Sequence, residues 1–307
     1  MNSFQQMLQM VSVPFAINKC QWVADSQCGA REENQDNVLL MTPTGESHFL
    51  QQQQQVQQTN LSWSNNTFRL AVADGMGGHN NGRQIAEELI QILQKLPAQD
   101  DPQALRTEIV AIHQQLWEKH SQTSLKSPGT TLVMADIKTN GKTVIANIGD
   151  SRAYLWRNQQ WQQLTWDQNL NEYDWRDNQL ENKDDYRPNH KSHQIAQAMG
   201  YGSYGLLTNK YGHRALQLNR NLRLDLANEL ATNKQHPDIF NLTLQKGDAL
   251  LLASDGLWSV DPQQKPLAIP APNTLAKPVD LSNFLNKVQH NGGSDNMTAV
   301  MLWAKDT

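Results

Sequence analysis

Residues 131–156 read TLVMADIKTNGKTVIANIGDSRAYLW, and this stretch determines the class of fold. Apolar residues dominate three short segments, Thr131 to Ile137, Thr143 to Ile148 and Ala153 to Trp156, and each has the length of a β-strand. The Asn-Gly pair at 140–141 lies between the first two segments and is a strong signal for a hairpin turn. Strands joined by such short turns run antiparallel. The sequence therefore predicts antiparallel sheets rather than a parallel sheet with crossover helices.

Strand and helix patterns continue on both sides of this stretch. The segment Phe68 to Ala73 alternates in the manner of a half-buried strand. Apolar residues at helical spacing predict amphipathic helices over Gln84 to Leu96 and Pro102 to Lys119. Three more strands and a short helix are predicted at Phe240 to Leu244, Ala249 to Ala253, Met297 to Trp303 and Leu281 to Val288. Together they predict an α+β protein, a four-layer α-β-β-α sandwich of two antiparallel β-sheets flanked by helices.

Composition excludes several classes of protein. The chain has 307 residues with 26 Lys and Arg against 30 Asp and Glu, and a slightly acidic chain without a basic stripe argues against nucleic-acid binding. No stretch approaches the roughly 20 apolar residues of a membrane helix, and Met1 to Asn18 does not resemble a signal peptide. Cys20 and Cys28 cannot form a disulfide framework. We therefore expect one domain over 1–307 that acts as a cytoplasmic monomer, without membrane or nucleic-acid partners.

Three segments lack a clear apolar period. The segment 45–66 contains the glutamine run Gln51 to Gln55, and we expect an insertion that forms a solvated loop. The segment 165–193 is crowded with polar residues, again without a period. The segment Asp261 to Asp280 holds five prolines, which argue against a regular helix or a central strand.

Five aspartates share one context, because each lies where a hydrophobic strand begins or ends. They are Asp36, Asp74, Asp150, Asp255 and Asp295. Any one of them is explained by the tolerance of Asp for turn geometry, but five carboxylates at strand ends can converge on one edge of a sandwich and then repel unless a cation neutralises them. Oxygen ligands without Cys or His select Mg²⁺ or Mn²⁺. Two such ions would polarise a phosphoryl group, and Arg31 and Arg152 are candidates to bind its oxygens.

Six motifs in one order resemble the metal-dependent protein phosphatases of the PPM (PP2C-like) family. The motifs are Arg31-Glu32-Glu33-Asn34-Gln35-Asp36, Asp74-Gly75-Met76-Gly77-Gly78-His79, Gly129-Thr130-Thr131, Ile148-Gly149-Asp150-Ser151-Arg152-Ala153-Tyr154, Ser254-Asp255-Gly256-Leu257 and Gly293-Ser294-Asp295-Asn296-Met297-Thr298. With methionine at position 76, the second motif most resembles the form found in the bacterial branch of the family. The segment 165–193 falls where the family carries its variable flap.

The resemblance implies a metal-binding role for most of the aspartates. Asp74 would bridge two Mn²⁺ or Mg²⁺ ions, and Gly75 would offer its carbonyl oxygen to one of them. Asp255 and Asp295 would complete the other site. Asp36 matches an acid that either binds an ion directly or supports one that does.

The remaining positions match the family less uniformly. Asp150 corresponds to a residue that helps to hold a looser third ion in bacterial members, and Arg31 corresponds to the arginine that binds the substrate phosphate. Met76 stands where animal-type members have a histidine thought to act as general acid, so that role is unassigned; His79 is a candidate, with a turn role as the alternative. Thr130, Thr131 and Arg152 are expected to be scaffold.

The function implied is hydrolysis of phosphoserine and phosphothreonine on proteins by a metal-bridging water or hydroxide, which reverses Ser/Thr kinase signalling. Arg31, Asp36 and Asp74 would form the catalytic group. The alternative is a phosphatase-like regulatory binding module without catalysis, which predicts the loss of a metal acid, whereas all of them are present. A cysteine-dependent phosphatase is disfavoured because neither cysteine begins a Cys-x5-Arg loop. The sequence does not distinguish between two kinds of phosphorylated target, a regulator of sigma factors and a regulator of a secretion apparatus.

Overall fold

The computed structural model describes residues 20–60, 62–63, 66–77, 81–120, 128–169, 195–201, 237–260 and 264–305. Within these ranges lie thirteen β-strands: β1 (Cys20–Gln27), β2 (Asp36–Met41), β3 (Glu46–Gln51), β4 (Gln54–Thr59), β5 (Thr67–Met76), β6 (Gly129–Thr130), β7 (Leu132–Lys138), β8 (Lys142–Ile148), β9 (Arg152–Arg157), β10 (Gln160–Gln163), β11 (Ile239–Thr243), β12 (Ala249–Ala253) and β13 (Met297–Ala304). The same ranges contain three α-helices, α1 (Asn81–Lys95), α2 (Pro102–His120) and α3 (Pro278–His290), and two 3₁₀ helices, Asp255–Leu257 and Pro272–Thr274.

The strands form two antiparallel sheets. The larger sheet has the order β11-β8-β7-β5-β2-β3-β4, and the short strand β6 pairs with the end of β5. The smaller sheet has the order β1-β13-β12-β9-β10. Its interior strand β13 pairs with β1 on one side and β12 on the other. The last described strand is therefore paired with the first described strand on one side and with the strand that precedes it in the chain on the other.

Three apolar layers separate the elements and define the sandwich. Leu40 and Leu70 of the larger sheet pack with Leu250 and Val300 of the smaller sheet in the central layer. A second layer lies between the larger sheet and helices α1 and α2, and a third lies between the smaller sheet and α3. All six residues of β2 are buried, because both faces of this strand are covered, which explains its continuous apolar pattern. The predicted four-layer α-β-β-α architecture is confirmed.

A buried ion pair fixes the end of α1 to the larger sheet. Arg69 and Asp136 lie opposite each other on β5 and β7, with 2.7 Å between Arg69 Nε and Asp136 Oδ1. Both side chains are fully buried. The guanidinium also donates to the carbonyl oxygens of Leu93 and Leu96, which lie at the carboxyl end of α1 and lack helical partners. Arg69 therefore supplies hydrogen-bond donors, from inside the protein, to carbonyl groups at the carboxyl end of α1.

Most predicted elements are confirmed, with small differences at their ends. Among the exceptions, β1 and β10 were not predicted, because their sequences mix polar and apolar residues without clear alternation. Helix α3 begins at Pro278, inside the segment expected to be irregular, since proline is well tolerated in the first helical turn. Most of the segment 165–193 lies outside the described residues. No helix in the described ranges is long and apolar enough to cross a bilayer.

The prediction of a loop over 45–66 is wrong. Strands β3 and β4 form an antiparallel hairpin at the edge of the larger sheet, with Gln51 paired to Gln54. The turn residues Gln52 and Gln53 both have positive φ, 50° and 64°, which matches the turn type that suits two-residue hairpins. Only β3 carries large buried apolar side chains, whereas nearly every residue of β4 is exposed. Val56 is the one residue of β4 that packs against the core, so the strand is held mainly by backbone pairing and has no hydrophobic period to detect.

Candidate metal centre and active site

The site begins where two neighbouring strands of the larger sheet bring acids side by side. Asp36 on β2 is paired in register with Asp74 on β5. Asp36 is 3% exposed, and its Oδ2 atom accepts a hydrogen bond of 2.7 Å from Ser254 Oγ. The pKa of Asp36 is raised to about 7, chiefly by burial and also by the charges of Asp255 and Asp295, although the bond from Ser254 opposes the change.

Asp255 brings the smaller sheet into the same site. It follows β12 and opens the first 3₁₀ helix, and Ser259 Oγ donates a 2.9 Å hydrogen bond to its Oδ2 atom. The negative charge of Asp255 also acts on Asp74. Two bare carboxylates at close range repel, which disfavours the ionised form of both groups. Burial, reinforced by neighbouring aspartates, raises the pKa of both groups, so positive charge at this point would be stabilising.

Asp295 and Arg31 form the outer part of the site. Asp295 lies just before β13, and its Oδ2 atom is 2.6 Å from Arg31 Nη2. The Arg31 side chain is 57% exposed and that of Asp295 is 29% exposed. The hydrogen bond to Asp295 and the negative charges around it raise the pKa of Arg31. Arg31 therefore lies at the open side of the acidic cluster, with further N–H donors that could bind a phosphate.

Asp150 enters the site from the turn between β8 and β9. The preceding Gly149 has φ of 104°, and a Cβ atom there would lie 2.7 Å from Cγ2 of Thr131. Glycine is therefore required for the tight turn that delivers Asp150. Burial raises the pKa of Asp150 well above its usual value, and the charge of Asp255 adds to the effect.

Gly75 lies where three backbone segments meet. A Cβ atom on Gly75 would lie 2.2 Å from the carbonyl oxygen of Gly82 and 2.7 Å from that of Gln35. The Gly75 N–H donates to the Gln35 carbonyl at 3.2 Å, and Thr131 Oγ1 accepts from the Asp74 N–H at 3.0 Å. The backbone around Asp74 is thus held on both sides, and Thr131 contributes to the scaffold.

These residues surround a cleft of about 770 Å³. Its lining includes Arg31, Asp74, Gly75, Asp150, Asp255 and Asp295. Of the five predicted aspartates, Asp36 alone does not line the cleft, which fits an acid that supports the others. Met76 is also part of the wall, whereas His79 lies outside the described residues.

The donor set fits hard metal ions that retain bound water. Oδ1 atoms of Asp36, Asp150 and Asp255 are buried and have no hydrogen-bond partner among the described residues. An unpaired buried carboxylate oxygen is costly, and a cation relieves that cost. No three acidic, histidine or cysteine side chains in the described ranges surround one point as a ready-made metal cage. Mg²⁺ is commonly bound through one or two carboxylates and keeps several waters, so it does not require such a cage.

Asn296 connects the last motif to the first, a role that the sequence did not predict. Its Oδ1 atom accepts from the Gln35 N–H at 2.9 Å, and its Nδ2 atom donates to the carbonyl oxygens of Cys28 at 2.8 Å and Glu33 at 2.9 Å. The loop that carries Arg31 is thereby fixed to the residue beside Asp295. The signal for Asn296, and likewise for Ser254, was only its position next to a motif aspartate.

Arg152 is not placed to bind phosphate. Its guanidinium is paired with Asp167, with 2.7 Å between Arg152 Nε and Asp167 Oδ1, and it lies 4.1 Å from the centre of the Trp258 ring. Arg152 does not line the cleft. This arrangement ties the Asp150 turn to the chain that follows Asp255, which is a scaffold role.

An α-β-β-α sandwich with a carboxylate cluster and an arginine at its cleft defines a metal-dependent phosphate hydrolase, and comparisons with known proteins support this class. The family model described as protein phosphatase 2C matches residues 44–302. The serine/threonine phosphatase stp of Listeria welshimeri is 30% identical over 241 residues, which cover 75% of this chain and 82% of that protein. The chain belongs to the protein phosphatase 2C family.

Solved structures agree on the fold. A serine/threonine phosphatase of S. agalactiae has a TM-score of 0.62 at 19% identity, with 93% of this chain and 99% of that chain covered. PppA of Pseudomonas aeruginosa, described as a key regulatory component of T6SS, has a TM-score of 0.60 at 19% identity, with 95% and 99% covered. The predicted family and fold are confirmed, and with them an enzyme class that depends on metal ions. The first motif lies before the residues matched by the family model.

Proposed function

We propose that this chain is a serine/threonine protein phosphatase whose acidic cleft holds two Mn²⁺ or Mg²⁺ ions. Asp74, Asp255, Asp295 and the carbonyl oxygen of Gly75 would hold them, Asp36 would support Asp74, and Asp150 would hold a looser third ion. The observation that carries the proposal is the set of buried carboxylate oxygens that have no hydrogen-bond partner among the described residues. When bound, such ions supply activated water and neutralise phosphoryl oxygens.

The protein residues orient the substrate around that chemistry. The exposed guanidinium of Arg31 offers planar, charge-assisted donors to the phosphate group. Its partner Asp295 fixes the guanidinium at the edge of the cleft. Asp36 and Ser254 hold the base of the site rigid across the two sheets. Catalysis then depends on placing a phosphoserine or phosphothreonine between Arg31 and the carboxylate cluster.

The partners follow from the proposed activity. The substrates are phosphoproteins made by a Ser/Thr kinase, and the enzyme acts as a cytoplasmic monomer. Two free cysteines, Cys20 and Cys28, support a reducing compartment. The relatives from Listeria, which carry the name serine/threonine phosphatase, support the substrate class.

The test compares metal dependence with a single carboxylate substitution. Purified protein should hydrolyse a phosphothreonine peptide with Mn²⁺ or Mg²⁺ and stop with EDTA. Asp74→Asn should reduce turnover below roughly a tenth of wild type and weaken Mn²⁺ binding measured by calorimetry. Asp280→Asn, on α3 outside the cleft, is the matched control and should change neither quantity. Activity that persists through exhaustive chelation would refute the proposal.

A further inference from the structure

The turn of the glutamine-rich hairpin reaches the cleft. Gln53 lines the same cavity as Arg31 and Asp295, whereas Gln52 does not. Both turn residues are exposed and have positive φ, which is uncommon for residues other than glycine, Asn and Asp. These angles belong to the two-residue turn of the hairpin, and the turn places the Gln53 side chain at the cleft wall.

Two anchors hold this turn in place. The Gln52 N–H donates a 2.8 Å hydrogen bond to Glu87 Oε1 on α1, and Gln53 Oε1 accepts a 3.1 Å hydrogen bond from the Asn34 N–H. Arg83 binds Glu87 at 3.1 Å and Glu33 at 2.7 Å. The turn is thus fixed to both α1 and the loop that carries Arg31, so its position relative to the substrate phosphate is defined.

The bond to Asn34 also determines which way the Gln53 amide faces. A backbone N–H can only donate, so the side-chain oxygen of Gln53 must face Asn34. The NH₂ group is then directed away from that loop, and its two N–H donors are available on the cleft wall. The neighbouring wall residues Glu32 and Glu33 are acceptors, so Gln53 offers neutral donors on an otherwise acidic side of the cleft.

We propose that Gln53 is a substrate-binding residue whose amide donates a hydrogen bond to a main-chain carbonyl of the phosphoprotein, next to the phosphorylated residue. This inference rests on the proposed phosphatase function and assigns the glutamine-rich hairpin to recognition of the peptide chain. The phosphate itself is bound by Arg31 and the carboxylate site. A small aryl phosphate has no main chain, so it gains nothing from Gln53.

The experiment compares two substitutions at Gln53 with a matched substitution at Gln52. Gln53→Glu keeps the oxygen that accepts from Asn34 and removes both donors, and Gln53→Asn shortens the amide while tolerating positive φ. Gln52→Asn makes the same change in the same turn, outside the cleft. The substrates are a capped phosphothreonine peptide with alanine at the flanking positions, which offers only main-chain groups, and p-nitrophenyl phosphate, both with Mn²⁺.

Both Gln53 variants should lower kcat/KM for the peptide about three- to tenfold relative to that for p-nitrophenyl phosphate, mainly through KM, because one neutral hydrogen bond is lost. Gln52→Asn should leave the ratio unchanged. Equal losses of kcat/KM on the two substrates would show that Gln53 only supports the Asn34 loop. Unchanged kcat/KM on both substrates would show that Gln53 does not contact the peptide. Either result would overturn this inference and leave the proposed phosphatase function standing. Wild-type protein that hydrolyses p-nitrophenyl phosphate but no phosphopeptide would overturn the proposed function as well.

Discussion

Replacing Arg31 by alanine separates phosphate binding from metal binding. In the structure this guanidinium touches Asp295, one of the proposed metal ligands, at 2.6 Å. The Arg31 side chain is 57% exposed, so solvent screens the pair and it contributes roughly 0–1 kcal/mol to folding. The melting temperature should therefore fall by no more than about 4 °C. A charge-assisted bond to the substrate phosphate is worth about 1.5–3 kcal/mol, so kcat/KM should fall about 10- to 150-fold.

The assay measures three quantities on Arg31→Ala and on the control Arg31→Lys. These are kcat/KM for a phosphothreonine peptide, Mn²⁺ affinity by calorimetry and the melting temperature. Lysine keeps the charge but loses the planar donors, so it should fall between wild type and alanine. Mn²⁺ affinity should change little in either variant. The phosphate-binding role would be refuted by unchanged kinetics, or by a shift in Mn²⁺ affinity as large as that in kcat/KM, which would mean that Arg31 mainly neutralises Asp295.

Three further predictions concern stability. Replacing Gln51–Gln58 by a short glycine-serine turn should lower the melting temperature by roughly 2–6 °C, because the hairpin covers part of the larger sheet; an unchanged melting temperature in calorimetry would mean that β4 contributes nothing. Burial lowers the pKa of His113 to about 4 from 6.5, so the unfolded chain takes up a proton first as pH falls. Stability that is fully present above pH 6.5 should then decrease by about 3 kcal/mol towards pH 4 in urea titrations, and His113→Gln should remove that part of the slope. Arg69→Met should destabilise the protein by about 3–5 kcal/mol because it leaves Asp136 buried and unpaired, and adding Asp136→Leu should recover much of the loss in the same titrations.

The sequence predicted the sandwich well because its decisive signals are local. The Asn-Gly turn at 140–141 does join two antiparallel strands, β7 and β8. Helices α1 and α2 carry buried residues at the predicted helical spacing. Each of these features is determined by a period or a turn within about twenty residues, so no tertiary information is needed to find it.

The parts that escaped prediction depend on contacts between distant residues. Strand β4 has no apolar face of its own and exists because β3 offers it a backbone partner. Asn296 is an ordinary polar residue in the sequence, and its role arises only when its amide meets the loop of the first motif. The partner of Arg31 is equally invisible in the sequence, because Glu33 is two residues away yet binds Arg83, whereas Arg31 binds the distant Asp295.

The interior position of β13 has a consequence for the time at which activity can arise. During synthesis the smaller sheet lacks this interior strand until residue 304 has been made, because β13 lies between β1 and β12. Asp295 and Asn296 directly precede β13, so Arg31 and Gln35 of the first motif lack these partners until that stretch has been synthesised. A chain without β13 therefore has neither a complete smaller sheet nor the Asp295 side of the acidic cleft, and we expect it to be inactive.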